Sequence, residues 1–131
     1  MYYGEKVKVL IIEDELIVAE DIKASLLKYG HDVVGIAAGG VEAINLIEEL
    51  RPEIALMDIM LPGDLDGIET ARYINDRFDI PVVYLTAYSD EVTMRKAFET
   101  APYGFLLKPF EERQLFATLE MAYYMHNEIL F

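Results

Sequence analysis

Five short apolar runs, each stopping at a polar side chain or a glycine pair, alternate with five stretches of helical periodicity, and few folds accept that pattern. The sharpest run is Ile54-Ala55-Leu56-Met57, apolar at consecutive rather than alternate positions, and it ends on Asp58. Consecutive apolar residues suit a strand covered on both faces, as central parallel strands are. The other runs span 7–12, 32–38, 81–85 and 103–107, and they deliver Glu13-Asp14-Glu15, Gly39-Gly40, Thr86 and Lys108-Pro109 at their ends. Between them, Val18, Ile22, Leu26 and Tyr29 recur at helical spacing up to Gly30, which stands where a C-terminal cap belongs. Ala43, Ile44, Ile47 and Leu50 mark a second helix, stopped by Arg51-Pro52, and Ile68, Ala71, Ile74 and Phe78 mark a third. A fourth helix is expected over residues 90–100. The last begins near Glu111 and carries Leu115, Leu119, Ala122 and His126 on one face.

Strict alternation of strand and helix requires crossovers, each right-handed and each covering one face of the sheet. The expected architecture is α/β, a doubly wound (βα)5 three-layer sandwich of flavodoxin-like type, with a five-stranded parallel sheet of order 2-1-3-4-5. At 131 residues the chain supplies one domain with a real core, and it needs no disulfide, having no Cys. Residues 5–127 are expected to form that domain, with 128–131 a C-terminal tail or the start of a continuing helix. The apolar ending Ile129-Leu130-Phe131 points to a fragment of a longer protein or to a helix that reaches into a partner. No apolar run approaches the roughly 18 residues of a membrane helix, and no signal-peptide pattern opens the chain. A cytoplasmic protein without membrane contact is therefore expected. Eleven Lys and Arg against 24 Asp and Glu give a net charge of −13, which repels phosphate backbones and argues against direct nucleic-acid binding.

In open parallel sheets the ligand crevice lies outside the strand carboxyl ends, where the strand order reverses. Strands 1 and 3 are neighbours in the expected order, so Glu13 and Asp14 should stand beside Asp58. Two like charges ~4 Å apart repel by about 4 kcal/mol at an effective dielectric of about 20, so such a cluster raises a pKa or recruits a cation. An all-oxygen site with room for water suits Mg²⁺. Thr86 and Lys108 bring a hydroxyl and an ammonium to the same rim. A carboxylate nucleophile, a divalent cation, a Lys and a hydroxyl are the parts that phosphoryl transfer onto an aspartate requires. No His or Cys stands at these strand ends, which argues against acyl or thiol chemistry, and no Walker-type loop is present.

Glu13-Asp14, Asp58 followed by Pro62 and Asp66-Gly67, Thr86-Ala87 and Lys108-Pro109-Phe110 together resemble the signature set of response-regulator receiver domains of two-component signalling. The likeness runs from about Val7 to the last helix. It implies that Asp58 accepts a phosphoryl group from a sensor histidine kinase or a phosphotransfer protein. It implies a Mg²⁺ site made by Asp14, Asp58 and the Met60 backbone carbonyl, with Glu13 assisting through water. By the same resemblance Lys108 pairs with phosphoryl oxygens, Thr86 is the switch hydroxyl, and Phe105 is the aromatic that swings inward behind it. Ala87 leaves room for the phosphate, and the Lys108–Pro109 bond is cis. Helix 4, strand 5 and helix 5 would form the switching and homodimer face. Such a domain is a signalling phosphoacceptor and not a metabolic enzyme.

Plainer readings stand beside these. Asp14 could cap the first helix, Thr86 could be a strand-end hydroxyl, Phe105 static core and Lys108 a structural ion pair. Asp64 and Asp66 look like turn acids, Glu15 like an exposed first-turn acid, and His31 and His126 have no metal-spaced partner. A Mg²⁺-dependent phosphohydrolase with an aspartyl intermediate is the alternative function, poorly matched by Glu13-Asp14-Glu15, and a pseudo-receiver used for interaction is a third. Met94, Phe98, Phe116, Tyr123 and Tyr124 exceed what the inward helix faces need, which suits either burial or a partner surface. The loop from Asp58 to Asp66-Gly67 is one residue longer than the commonest family pattern. Met60 and Tyr88 occupy positions that border the route of attacking water in the family. Their bulk is expected to slow loss of the phosphoryl group, so Met60→Asn and Tyr88→Ala should each shorten its lifetime in a phosphate-release assay; unchanged lifetimes would refute the shielding role.

Overall fold

The computed structural model describes residues 6–87 and 90–128. In chain order the elements are β1 (Lys8–Ile12), α1 (Leu16–Lys28), β2 (Asp32–Ala37), α2 (Gly40–Leu50), β3 (Ile54–Asp58), α3 (Gly67–Arg77), β4 (Val82–Thr86), α4 (Glu91–Phe98), β5 (Gly104–Leu107) and α5 (Glu112–Glu128). The five strands form one parallel sheet in the order β2-β1-β3-β4-β5, the expected doubly wound arrangement. Observed boundaries differ from the sequence reading by a residue or two, because strand and helix ends carry no periodic signal of their own.

Period-two alternation divides the strands between two cores. Val9, Ile11, Ile54, Leu56, Val83 and Leu85 face α1 and α5, packing on Ile22, Leu26, Leu115 and Leu119. Leu10, Ile12, Ala55, Met57, Val82 and Tyr84 face the other way, onto Ala43, Ile47, Ala71, Ile74 and Ala97 of α2, α3 and α4. Every residue of β3 and β4 is buried as a result, whereas the edge strands β2 and β5 are mostly half-buried. The surplus apolar residues split. Phe116 is buried with its ring stacked on Tyr29, 3.4 Å between centroids, and Met94 and Tyr123 are half-buried, but Phe98 and Tyr124 are exposed.

The connection from β3 to α3 is closed at its neck. The Gly67 N–H donates to the Ile59 carbonyl at 2.9 Å, and a Cβ on Gly67 would lie 2.2 Å from the Asp58 carbonyl oxygen, so only glycine fits. Asp66 is the N-cap of α3 and forms a capping box with Glu69, a firmer role than the turn acid expected. Within the lengthened loop, Gly63 adopts a left-handed φ of 92° in open space, and Leu65 leans on Gly40 at the start of α2. Replacing Gly67 by Ala should destabilise the domain by about 1–3 kcal/mol through this backbone collision, measured as a lower urea midpoint; an unaltered midpoint would show that the neck can open freely.

His31 and His126, which carry no metal-like spacing, both secure the end of the sheet away from the Asp58 crevice. His126 Nε2 lies 2.8 Å from Asp79 Oδ1, and its ring meets the edge of Tyr103. His31 is buried, and its Nδ1 accepts the Val7 backbone N–H at 3.3 Å. Glu120 Oε2 stands 3.7 Å from Nε2. Burial pushes the His31 pKa below its ordinary value, and burial pushes that of Glu120 up. The fold thus favours neutral imidazole, while the unfolded chain binds a proton below about pH 6.5. The His31 contribution is therefore complete above that pH and is lost as pH falls below it. Between pH 7.5 and 5.5 the urea midpoint should drop more in the parent than in His31→Gln; equal drops would exclude His31 as the cause.

Candidate functional site

β1 and β3 deliver their acids side by side because they are paired in the sheet, with Ile12 opposite Met57. Glu13 follows β1 and is tied to β2 through its N–H to the Ala37 carbonyl, 2.9 Å. Asp58 closes β3 and is only 6% exposed. Carboxylate oxygens of Glu13, Asp14 and Asp58 all lie within 4.8 Å of one another. Glu13 and Asp58 are buried, and Asp14 is on the open side. Asp14 does not cap α1: the N-cap is Glu15, without a side-chain cap bond.

β4 and β5 complete the crevice from the other side. Thr86 ends β4, fully buried, and its carbonyl accepts the Lys108 N–H at 2.7 Å. Lys108 begins the turn after β5, and the Lys108–Pro109 peptide bond is cis, as the resemblance implies. From there the ammonium reaches back across the sheet end to two carboxylates, Asp58 Oδ2 at 2.9 Å and Glu13 Oε1 in a closer contact still. Each acid has a second tether. Asp58 Oδ1 accepts the Met60 N–H at 2.9 Å, and Glu13 Oε2 accepts the Glu15 N–H at 3.0 Å. Lys108 is thus an ion pair, and one made with the two acids of the crevice.

Burial raises the Glu13 pKa, aided by the charge of Asp58 and opposed by the bonds from Lys108 and the Glu15 N–H. For Lys108, burial pulls the pKa down, but the hydrogen bonds and charges of Glu13 and Asp58 outweigh it and hold the ammonium above its ordinary value. One cation facing three acids leaves the crevice net negative, which is the electrostatic setting for a hard divalent ion. The donor set fits: three carboxylates that converge, one on the open side where hydration water has access.

Ala87 is exposed at the rim, and the Met60 side chain is 67% exposed. Tyr88, the second expected shield, lies outside the described residues. Phe105 is half-buried on β5, its ring 5.5 Å from Tyr84 and 5.0 Å from Phe98. Sequence reasoning missed the space requirement of Gly67 and the capping box. The second was legible as Asp66-x-x-Glu69; the first depends on how closely two backbones approach and leaves no residue pattern.

Residues 9–120 match the response regulator receiver domain family. Over 116 residues the chain is 34% identical to the transcriptional regulatory protein YdfI of Bacillus subtilis (strain 168), covering 88% of this chain and 54% of that protein, so it spans about half of that relative's length. Among solved structures it resembles the signal receiver domain of a modulated diguanylate cyclase from Desulfovibrio desulfuricans, with a TM-score of 0.89, 36% identity, and coverage of 94% of this chain and 98% of that one. It is also similar to the N-terminal domain of a response regulator/sensory box/GGDEF three-domain protein from Carboxydothermus hydrogenoformans, with a TM-score of 0.86, 34% identity, and coverage of 95% and 99%. With the 2-1-3-4-5 sheet and the acids gathered at its reversal point, these likenesses place the chain in the response regulator receiver domain family.

Proposed function

We propose that Asp58 is the phosphoacceptor of this receiver domain, that the domain spans residues 5–127, and that the donor is a phosphohistidine on a sensor kinase or phosphotransfer protein. The observation that carries this reading is Lys108 bound to Asp58 Oδ2 inside a cluster of three acids. A carboxylate oxygen of Asp58 forms the new P–O bond as the P–N bond to the donor imidazole breaks, giving an aspartyl phosphate. Lys108 then exchanges a carboxylate contact for a phosphoryl oxygen. Asp14, Asp58 and the Met60 carbonyl would hold Mg²⁺, with Glu13 acting through water; the ion would neutralise charge on the transferring group. Positioning and charge compensation are the whole of the catalysis, as expected where no acid–base chemistry is demanded of the protein.

A donor must approach from the open rim. Beside Lys108, α1 and the segment after β5 enclose an apolar groove of about 750 Å³, lined by Ile17, Val18, Ile22, Pro109, Phe110 and Leu115. Its outer edge carries Glu20, Asp21 and Glu112. In this reading Thr86 and Phe105 are the switch pair and the α4–β5–α5 surface is the homodimer face of the phosphorylated state, a role supported by the exposed Val92, Phe98, Leu107 and Met121. The output is a population shift between two surfaces and not a released product. Among the described residues no helix is long and apolar enough to cross a membrane.

Incubation with Mg²⁺ and acetyl phosphate should give one adduct by intact-mass analysis, abolished in Asp58→Asn and lost on chelation of the metal before donor is added. Release of many phosphates per chain would favour the phosphohydrolase. No adduct in the parent protein would reduce the domain to an interaction module.

A further inference from the structure

The joint between α4 and β5 carries a strained residue with no role in the crevice. Ala101 has φ = 54°, a left-handed conformation that costs an L-residue with a Cβ and persists only where its surroundings enforce it. The enforcement comes from its neighbour. Thr100 is 5% exposed, and its Oγ1 donates to the Ala97 carbonyl at 2.6 Å. That hydroxyl proton being committed, the 2.6 Å contact between Thr100 Oγ1 and the fully buried Tyr84 hydroxyl has Tyr84 as donor. On the opposite side, Asn75 Nδ2 of α3 donates to the Thr100 carbonyl at 2.6 Å. The Ala101 N–H closes onto the Phe98 carbonyl at 2.9 Å. The end of α4 is thus clamped to β4 and α3 through one threonine.

The clamp adjoins the switch residues. Tyr84 lies two positions before Thr86 on β4, so both side chains face the α3–α4 side of the sheet. The Tyr84 ring is the inner neighbour of Phe105, and Phe105 in turn meets the edge of exposed Phe98 on α4. A change in Phe105 therefore bears on two rings, one bonded through its hydroxyl to the end of α4 and one belonging to it.

We propose that the Tyr84 hydroxyl is a positioning group that holds Thr100, and with it the strained Ala101, in the resting arrangement of the α4–β5 joint, so that breaking the Tyr84–Thr100 bond favours the alternative surface. The proposal rests on the switching function above. Two substitutions at this joint should act with opposite sign. Tyr84→Phe keeps the ring and removes the β4 tie of the clamp while Asn75 still holds the Thr100 carbonyl, whereas Ala101→Gly keeps the clamp and relieves the strain that opposes it. By amide hydrogen exchange on the 131-residue chain without phosphodonor, Tyr84→Phe should speed exchange at Glu99, Thr100 and Ala101 about fivefold, the net worth of one hydrogen bond. Ala101→Gly should slow the same amides, and amides of α2 should be unchanged in both. General destabilisation would instead shift all amides together. In sedimentation with Mg²⁺ and beryllofluoride, Tyr84→Phe should associate at lower protein concentration than the parent and Ala101→Gly at higher. Exchange that is unaffected by Tyr84→Phe, or changes of the same sign in both variants, would overturn the clamp. A parent that shows the exchange pattern but no response to beryllofluoride would overturn the switching function and leave the clamp standing.

Discussion

The ammonium of Lys108, held between Asp58 and Glu13, is the contact on which the crevice depends. Two buried carboxylates could not share this space uncompensated, since like charges at such range repel by roughly 4 kcal/mol even at moderate dielectric. Lys108 compensates them from the far side of the sheet. That requires β5 to end where it does, which the backbone bond from Lys108 to the Thr86 carbonyl secures. Four strands thus meet in one electrostatic problem: β1 and β3 supply the acids, β5 supplies the base, and β4 sets its height. Sheet order and site composition are two expressions of the same constraint.

Much of this was legible beforehand because it rests on features with a period or a sign. The uninterrupted apolar run into Asp58 marks β3 as covered on both faces, and all five of its residues are buried. Alternation of strand and helix points to a doubly wound sheet, and with the order 2-1-3-4-5 expected for it, strands 1 and 3 are neighbours and bring Glu13, Asp14 and Asp58 together. What escaped has neither period nor sign. Gly67 looks like any turn glycine until the Asp58 carbonyl is found where its Cβ would be. Tyr84 reads as one more apolar member of a strand, and its hydroxyl finds a partner only because Thr100, in the turn after α4, arrives from sixteen positions away. The lengthened loop after Asp58 is absorbed by the left-handed turn at Gly63 and a seat against α2, a solution set by three-dimensional packing.

Partial exposure of the surplus apolar residues shows the limit of composition as a guide. Phe116 and Phe98 are indistinguishable by residue type, and each sits on a helix of the same half of the chain. Phe116 is buried against Tyr29 between α1 and α5, while Phe98 is left open with its edge on Phe105. The difference lies in which face each helix turns inward: α4 buries only Ala97, whereas α5 buries Leu115, Phe116, Leu119 and Ala122.

The two cores share every central strand but no side chain, since alternate residues of β3 and β4 belong to opposite layers. The sheet is therefore a partition wall with separate tenants. The groove beside α1 is built on one layer; Tyr84, Phe105 and Ala97 are built on the other. Substitutions that repack the first layer can accumulate without repacking the second, and the reverse holds equally. The independence of the two layers comes from nothing more than the two-residue repeat of a strand.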